Sequence, residues 1–352
     1  MGFILAHRTA ILLAGLLLSA SAAHADSIPA VIDGKPGTYN FLGAAQRQWR
    51  ICALIPHAKD PFFIAVGKGL VQQARQTGVQ LGIYQAGGYQ YPDEQRKQLR
   101  GCIANHADAI LISAINSQLV EAEKAELAAR KIVVIDLLNG AESNVIAAHS
   151  RLDFVESGEI AGRFAAQTAN GKPIRVAVFP GPPGAPWAMG FDSGMRNVLA
   201  NDSRAAKVTL VEGGWGPTDR DSQATLVRQM ASRGDLDLIL ANAVAAVVAA
   251  RFYEGRGKAA PVIFSYYPNG ELIDALRDGK IDGMVGFSPA TQARIALDLA
   301  VRLLQQEKVP HLVSVTAHLV TGATIGDFIV SEFGSGNDER VPIQPLPPFG
   351  ER

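Results

Sequence analysis

The sequence predicts an α/β protein of two lobes, each a doubly wound parallel sheet, joined by a hinge. Apolar runs of strand length alternate with amphipathic stretches of helix length, which is typical of parallel sheets with right-handed crossovers. The alternation occurs as two successive series, which indicates two lobes with a cleft between them. Removing a 25-residue signal peptide from the 352 residues leaves 327, enough to bury two cores.

The first series begins with an apolar strand at 51–55, which ends at Pro56. A helix follows, because apolar residues recur at helical spacing from Phe63 to Gly78, and glycine is a common helix C-cap. The rest of this series comprises strand 79–84, helix 92–103, strand 107–113, helix 118–130 and strand 131–136.

The second series has the same pattern. Its elements are helix 157–169, strand 174–179, helix 190–199, strand 207–212, helix 222–232, strand 236–241, helix 244–253, strand 261–267, helix 271–278 and strand 284–287. A long amphipathic helix at 291–306 and an extended segment at 311–320 follow. The tail from Ser331 is rich in proline and has no periodicity, so we expect it to be irregular and to lie along the surface.

Residues 1–25 are expected to be a secretory signal peptide, with an apolar run at 11–18 and an A-x-A motif ending at Ala25. No later stretch reaches roughly eighteen uninterrupted apolar residues, so we expect an exported protein that does not span a membrane after signal cleavage. The net charge is zero, with 33 residues of each sign. Since no basic stripe is present, nucleic acid is not an expected partner.

The two cysteines, Cys52 and Cys102, leave two interpretations open. In an oxidising compartment they could form a disulfide that closes a loop of about fifty residues and stabilises the fold by about 4 kcal/mol. Two separate buried thiols fit equally well. A metal site is not expected, because the sequence lacks close-set ligand pairs.

We expect neither catalysis nor a cofactor. The histidines are scattered, and no HExxH or G-x-S-x-G motif accompanies them. His57 could serve as a general base near the cleft, but no nucleophile accompanies it, so a loop histidine is the favoured interpretation. The Gly/Pro-rich run at 181–184 lacks the Lys-Ser/Thr pair of a phosphate loop.

Open parallel sheets bind small molecules beyond the carboxyl ends of their strands. Three candidate ligand contacts follow the first strand: Asp60, Phe62 and Phe63. Asp60 precedes a proline, so it equally fits a helix N-cap. Tyr89, after the second strand, is either a cleft residue or an exposed loop tyrosine. Trp187 follows a loop too rich in Pro and Gly to be helical, and it either contacts ligand or packs under that loop.

Several motifs together resemble the type I, ribose-binding-like periplasmic binding proteins. They are DPFF at 60–63, AGG at 86–88, ADAILIS at 107–113, LDF at 152–154, GEIAGR at 158–163 and a helix entered through Asn242. The resemblance implies a periplasmic protein whose chain crosses between lobes three times and whose lobes close around a ligand. It places the N-terminal lobe at 26–153 and 288–318, the C-terminal lobe at 154–287 and 319–330, and an irregular tail at 331–352.

The departures from the sugar-binding pattern bear on the ligand. Trp187 stands where that family has an arginine, Phe154 where an asparagine is expected, and the pair Tyr266–Tyr267 where an aspartate is expected. Rings therefore replace groups that would pair with sugar hydroxyls. An aromatic box with one carboxylate suits an amine-derived ligand held by cation–π attraction. The implied ligand-binding set is Asp60, Phe62, Phe63, Tyr89, Phe154, Trp187, Asn242, Tyr266 and Tyr267.

A narrower resemblance is to the binding proteins of trimethylamine N-oxide sensing systems. It rests on PHAKDPFF, AGGY, FPGP, GGWG and NAVAAVVAA, with both cysteine positions. It implies a small methylated amine or amine oxide as ligand and a membrane sensor histidine kinase as partner. Phe62–Phe63 and Phe154 replace the Tyr-Trp pair and the Trp of those proteins, so a relative of that ligand also fits. The alternative is the substrate-binding component of an ABC importer for a sugar or other polar solute, with a permease as partner.

Overall fold

The computed structural model describes residues 26–255, 260–327 and 343–349. Within these ranges the chain forms two separate sheets, one of eight strands and one of six, with helices packed against them. The predicted two-lobed, doubly wound α/β fold is therefore confirmed. We call the eight-stranded sheet with its helices the first lobe, and the six-stranded sheet with its helices the second lobe.

The strands in these ranges are β1 (Ser27–Ile32), β2 (Lys35–Asn40), β3 (Arg50–Ile55), β4 (Gln80–Gln85), β5 (Ala109–Ile112), β6 (Val133–Leu137), β7 (Ile146–Ser150), β8 (Ile174–Phe179), β9 (Val208–Val211), β10 (Leu238–Ala241), β11 (Val262–Ser265), β12 (Gly283–Gly286), β13 (Leu312–Ser314) and β14 (His318–Thr321). The α-helices are α1 (Pro61–Thr77), α2 (Pro92–Ala104), α3 (Lys124–Ala129), α4 (Phe154–Ala169), α5 (Pro186–Asn201), α6 (Arg220–Ala231), α7 (Ala243–Tyr253), α8 (Gly270–Arg277) and α9 (Pro289–Leu304).

The first sheet has the order β2-β1-β13-β7-β6-β5-β3-β4, and it is parallel from β13 to β4. The hairpin β1–β2 adds to it in antiparallel fashion. The second sheet has the order β14-β12-β11-β10-β8-β9, and only its edge strand β14 is antiparallel. Every residue of β5 and β10 is buried, which explains why the central strands are continuous apolar runs in the sequence.

Helix α1 shows how local sequence fixes the approach to the cleft. Asp60 has extended backbone, and its side chain accepts a hydrogen bond from the N–H of Phe62. Pro61 occupies the first turn, where its missing N–H costs nothing. Gly78 ends the helix in the left-handed region at φ 75°. The predicted helix and both of its caps are thus confirmed, and the N-cap fixes where the two following phenylalanines stand.

Several elements differ from their sequence predictions. The hairpin β1–β2 and strand β7 were not predicted, because their short segments lack a sustained apolar run. The helix predicted at 118–130 is shorter, with a 3₁₀ turn at Glu121–Glu123 before α3. Helix α5 starts at Pro186 rather than at Gly190, because proline is compatible with a first helical turn. The extended segment 311–320 divides between the two sheets as β13 and β14.

Gln292, near the start of α9, joins the segments that connect the lobes. Its side-chain N–H groups donate to Ser150 Oγ at 2.6 Å and to the Val313 carbonyl at 2.8 Å, and its Oε1 accepts from the Val315 N–H at 2.8 Å. The chain enters α4 after β7, and it enters β14 after β13. One buried side chain therefore ties three crossing segments together. We propose lobe boundaries after residues 153 and 287, and a third just before β14, which begins at His318 in the second sheet.

A disulfide between Cys52 and Cys102 links β3 to α2, with their Cα atoms 6.3 Å apart. The bonded alternative is thus the one that the structure shows. In the part of the chain that the structure describes, no helix combines the length and apolar character needed to cross a membrane. The predicted signal peptide, residues 1–25, lies outside the described residues, as does most of the predicted tail.

Candidate functional site

Side chains that follow the carboxyl ends of several strands meet in one cavity between the lobes. The first lobe contributes Asp60 after β3, Tyr89 after β4 and Asn139 after β6. The second lobe contributes Thr218 after β9 and Tyr267 after β11. This arrangement follows from parallel sheets, since all their strands end at the same edge and their loops face the cleft.

The cavity is small and its walls are mostly aromatic. The volume open to the centre of a water molecule is about 40 Å³, whereas one water needs roughly 10–15 Å³ on this measure. Of the thirteen residues that line it, eight are aromatic. The lining is Asp60, Phe62, Phe63, Tyr89, Leu138, Asn139, Leu152, Phe154, Trp187, Phe191, Thr218, Tyr267 and Phe287.

The rings interlock across the boundary between the lobes. The Tyr267 ring centroid lies 5.3 Å from that of Phe62, edge to face, and 5.8 Å from that of Trp187. Phe62 also meets Phe287 at 6.0 Å, and Phe154 meets Phe191 at 5.8 Å. These separations are in the range in which aromatic pairs attract each other. The rings therefore form one continuous wall rather than two separate cores.

Asp60 is the one carboxylate among the residues that line the cavity, and it is 3% exposed. Tyr267 donates to its Oδ2 at 3.2 Å, and the Asn269 amide lies 3.5 Å from its Oδ1. Burial raises the pKa of Asp60 from 3.8 to about 6, while the N–H of Phe62 and the Tyr267 hydroxyl oppose that shift. Asp60 is therefore both the cap of α1 and a carboxylate in the cavity, and it is mostly ionised at neutral pH.

The Tyr89 hydroxyl has an unusual arrangement of partners. Its oxygen accepts one hydrogen bond from Asn139 Nδ2 and another from Trp187 Nε1, both at 2.9 Å. Burial raises the pKa of Tyr89 well above the usual value, so the group keeps its proton at neutral pH. Among the described residues no acceptor receives that proton. Tyr89 can therefore donate a hydrogen bond to an oxygen in the cavity.

His57 lies behind this wall. Its ring packs edge-on against Phe63 at 5.1 Å and against Tyr89 at 5.7 Å, and its Nε2 is 3.4 Å from Thr218 Oγ1. Burial and the neighbouring Lys59 ammonium lower the pKa of His57 to about 4. The imidazole is therefore neutral at pH 7 and supports the cavity wall without adding charge to it.

Seven of the nine residues proposed from the sequence line this cavity: Asp60, Phe62, Phe63, Tyr89, Phe154, Trp187 and Tyr267. Asn242 does not, because its amide caps α7 at Ala245 and bonds the Phe179 carbonyl. Tyr266 does not either, because its ring stacks on Phe191 at 5.5 Å. Trp187 stands in the first turn of α5 rather than in a loop. Ligand contact by the seven stays a prediction.

Other lining residues were not predicted from the sequence, although two of them carry a usable signal. Phe287 follows the carboxyl end of β12, just as Tyr89 follows that of β4. The rule that identified Tyr89 therefore applies to Phe287 as well. Phe191 is four residues after Trp187 on α5, so the two share a helix face once the helix is known to begin at Pro186. Asn139 and Thr218 lie in irregular segments without a comparable pattern.

In the described ranges no three His, Cys, Asp or Glu side chains gather as a metal site would require. The cavity offers one carboxylate, hydroxyl and amide groups, and rings. Such a site can enclose a small ligand, place rings around a cationic group and donate hydrogen bonds to an oxygen.

The family model described as "Periplasmic binding protein domain" matches residues 51–308. Periplasmic protein TorT from Escherichia coli is 28% identical over 272 residues, which is 77% of each chain. An ABC transporter solute binding protein from Bradyrhizobium sp. with bound bis-tris has a similar structure. Its TM-score is 0.72 at 27% identity, and the match covers 92% of this chain and 96% of that one.

A third similar structure is the complex of the TorS sensor domain with TorT in the presence of TMAO, which is trimethylamine N-oxide. The TM-score is 0.69 at 22% identity, and the match covers 87% of this chain and 99% of that one. At this level of identity the likeness shows the fold alone.

Proposed function

This chain belongs to the periplasmic binding protein family, and from that premise we propose that it captures a small methylated amine or amine oxide, such as trimethylamine N-oxide, and signals to a membrane sensor histidine kinase. Members of the family bind ligands and are not enzymes, and their place is the periplasm. The observation that carries the proposal is the aromatic cavity, which encloses one carboxylate and one hydroxyl with a proton to donate.

The size of the cavity favours this ligand class over a sugar. The volume open to the centre of a water molecule is about 40 Å³, which is enough for the centres of about three waters. Trimethylamine N-oxide is a compact molecule, and a pentose has roughly twice as many heavy atoms and a hydroxyl on nearly every carbon. Each hydroxyl buried without a partner costs about 1–3 kcal/mol. The mostly aromatic wall offers a pentose too few partners.

The chemistry of the wall matches both ends of an amine oxide. The methyl groups and the positive nitrogen would lie against the rings of Phe62, Trp187 and Tyr267, with about 0.5–2 kcal/mol per favourable ring. The oxide oxygen would accept a hydrogen bond from the Tyr89 hydroxyl. The Asp60 carboxylate would balance the charge of the cationic head group. Its raised pKa of about 6 still leaves it mostly ionised at neutral pH.

The proposed partner follows from the relatives and from the geometry of closure. TorT is a sequence relative over 77% of the chain, and a structure of TorT with the TorS sensor domain shares this fold. Here both lobes contribute to the cavity wall, so a ligand would bias the closed arrangement over the open one. Closure changes the outer surface that the two lobes present together. A sensor domain could read that change.

A second candidate function is solute capture for an ABC importer. The solute binding protein with bound bis-tris matches 92% of this chain at 27% identity. That ligand is an amine that also carries hydroxyl groups, so an amine-binding cleft can belong to a transport protein. The cleft would be the same in both cases, and only the partner would differ.

A thermal-shift screen followed by calorimetry tests the ligand class. The protein without its predicted signal peptide is mixed with trimethylamine N-oxide, tetramethylammonium, choline, ribose and arabinose. We expect the amine-derived compounds to raise the unfolding midpoint, because a ligand that binds only the native state stabilises it by mass action. A rise with a pentose and no response to any amine would refute the proposal.

The partner needs its own measurement. The protein is mixed with the purified periplasmic sensor domain of a TorS-like kinase, with and without ligand, and the complex is followed by analytical ultracentrifugation. We expect a complex whose affinity depends on the ligand. Ligand binding together with ligand-dependent association with an ABC permease instead would favour the transport candidate.

A further inference from the structure

The outer edge of the first-lobe sheet is occupied by a distant part of the same chain. The edge strand β4 pairs with Gln344, since the Ile83 N–H donates to the Gln344 carbonyl at 2.8 Å and the Gln344 N–H donates back at 3.2 Å. The Gln344 side chain also donates to the Leu81 carbonyl at 3.1 Å. The segment 343–349 thus adds to the sheet by backbone pairing, which is a recurrent mode of peptide recognition.

Leu346 anchors this segment in a notch. It is 2% exposed and packs in the core cluster that contains Cys52 and Cys102. The notch exists because position 82 is glycine, and a Cβ there would lie 2.4 Å from the backbone nitrogen of Leu346. Any larger residue at position 82 would therefore push the segment off the strand.

Polar side chains of the first lobe hold the backbone on either side of Leu346. The Tyr84 hydroxyl accepts from the Leu346 N–H at 2.8 Å. Asn105 Nδ2 donates to the carbonyls of Leu346 and Pro347 at 3.1 and 3.2 Å, and its Oδ1 accepts from the Phe349 N–H at 2.9 Å. Arg50 adds a bond to the Pro347 carbonyl at 2.5 Å. The Phe349 ring lies over that of His106, with centroids 4.4 Å apart.

Every backbone N–H group of the segment 344–349 has a hydrogen-bond acceptor in the first lobe. From position 344 to 349 the N–H groups of Gln344, Leu346 and Phe349 all bond to the first lobe. The other three positions are prolines, which have no N–H to satisfy. Proline also restricts the unbound segment, so less conformational entropy is lost when it docks. Sequence and surface therefore fit each other at every position.

We propose that this edge is a peptide-binding groove, separate from the ligand cavity, which recognises the sequence Gln-Pro-Leu-Pro-Pro-Phe and whose resident occupant is this chain's own C-terminal segment. The groove lies beside the start of β3, where Arg50 stands, whereas the ligand cavity lies beyond the end of that strand. Occupancy covers the β4 edge, which would otherwise be open to strands of other molecules. The proposal does not depend on the identity of the cavity ligand.

Hydrogen exchange of the full mature chain tests the groove. In Leu346→Ala we expect the Ile83 amide to exchange roughly tenfold faster or more, because the anchor is lost. The Leu111 amide in the central strand β5 should not change. Ile343→Ala is the matched control, since Ile343 is in the same segment but is 46% exposed; its Ile83 exchange should equal that of the unchanged protein.

A synthetic peptide then tests recognition in trans. Ile-Gln-Pro-Leu-Pro-Pro-Phe is added to the Leu346→Ala protein at increasing concentration, and we expect it to restore slow exchange at Ile83. The same peptide with Ala in place of Leu should have no effect, and Gly82→Val should abolish rescue. The proposal is overturned if Leu346→Ala leaves Ile83 protected, or if the authentic peptide fails to restore that protection.

Discussion

The indole Nε1 of Trp187 donates a 2.9 Å hydrogen bond to the hydroxyl oxygen of Tyr89. This bond joins a second-lobe helix to a first-lobe loop, directly at the wall of the cavity. Asn139 Nδ2 donates a second hydrogen bond to the same oxygen. The Tyr89 hydroxyl proton is therefore left to be donated to a third group. This contact between the lobes thus also orients the donor that a ligand would meet.

Replacing Tyr89 by Phe should distinguish the contribution of the ligand oxygen to affinity from that of the cationic methylated group. We expect the affinity for trimethylamine N-oxide to fall tenfold or more, because a hydrogen bond to a charged group contributes about 1.5–3 kcal/mol. Tetramethylammonium has no oxygen, so its affinity should change much less. Isothermal titration calorimetry with both compounds measures the difference. Equal losses for both would contradict the donor role of the hydroxyl.

Asp60 should make binding of a cation depend on pH. Its pKa is about 6 in the ligand-free protein, so lowering the pH from 7 to 5 converts most of the carboxylate to its neutral form. Tetramethylammonium keeps its charge over that range, and its affinity should therefore fall, approaching tenfold per pH unit below 6. Asp60→Asn should bind weakly and with little pH dependence. A flat pH profile for the unchanged protein would rule out the carboxylate as a partner of the cation.

The same carboxylate should reduce the stability of the ligand-free fold. The pKa of Asp60 in the folded protein, about 6, lies above the ordinary value of 3.8, so the protonated carboxyl group stabilises the fold. This stabilisation is fully present below about pH 4 and is lost as the pH rises through 6. Two pKa units correspond to about 3 kcal/mol. Asp60→Asn retains a helix cap and should raise the free energy of unfolding at pH 8 by up to that amount. Urea unfolding at pH 4 and pH 8 should show the gain only at the higher pH.

The sequence predicted the parts of the fold that depend on local pattern. Strand β3, helix α1 and its caps all lie within a single stretch of chain, and the predicted aromatic residues follow strands or helix starts that periodicity could place. The hairpin β1–β2 could not be found in that way, because β2 is almost wholly exposed and is held by pairing with β1. Tertiary context, not local preference, makes it a strand.

The residues of the site could be predicted only where the helices and strands that carry them could be predicted. Phe62 follows an apolar strand, so the strand-end rule identified it. Tyr267, Asn242 and Tyr266 were placed beside it by resemblance. Tyr267 does line the cavity, whereas the Asn242 amide caps a helix and the Tyr266 ring stacks behind Phe191. The docking of Leu346 beside Gly82 joins positions far apart in the chain, and no short-range pattern reports such a contact.

The close crossing of α4 and α5 should be as important for the site as the lining residues. A Cβ on Gly158 would lie 2.2 Å from the Phe191 carbonyl oxygen, so Gly158→Ala must displace α5, which carries Trp187 and Phe191. We expect a loss of about 1–3 kcal/mol in stability together with weaker ligand binding. Gly101→Ala is the matched control, because nothing lies within 4 Å of its added Cβ. On its exposed helical position it should be neutral or stabilising by up to about 1 kcal/mol.

Gln292→Met should loosen the hinge while keeping the volume of the side chain. The change leaves the Val313 carbonyl and the Val315 N–H without their side-chain partner, while Ser150 Oγ loses one bond and keeps its 2.7 Å bond to the Gln292 carbonyl. Each buried group left without a partner costs about 1–3 kcal/mol. Because these groups lie on different crossing segments, the closed arrangement should become less populated and ligand affinity should fall with it. Small-angle scattering should show a larger radius of gyration at equal ligand concentration. Gln305→Met is the matched control, because Gln305 lies at the other end of the same helix and accepts from the Gln46 N–H on the surface. This substitution should change neither measurement. An equal effect of both substitutions would show that the hinge is not the cause.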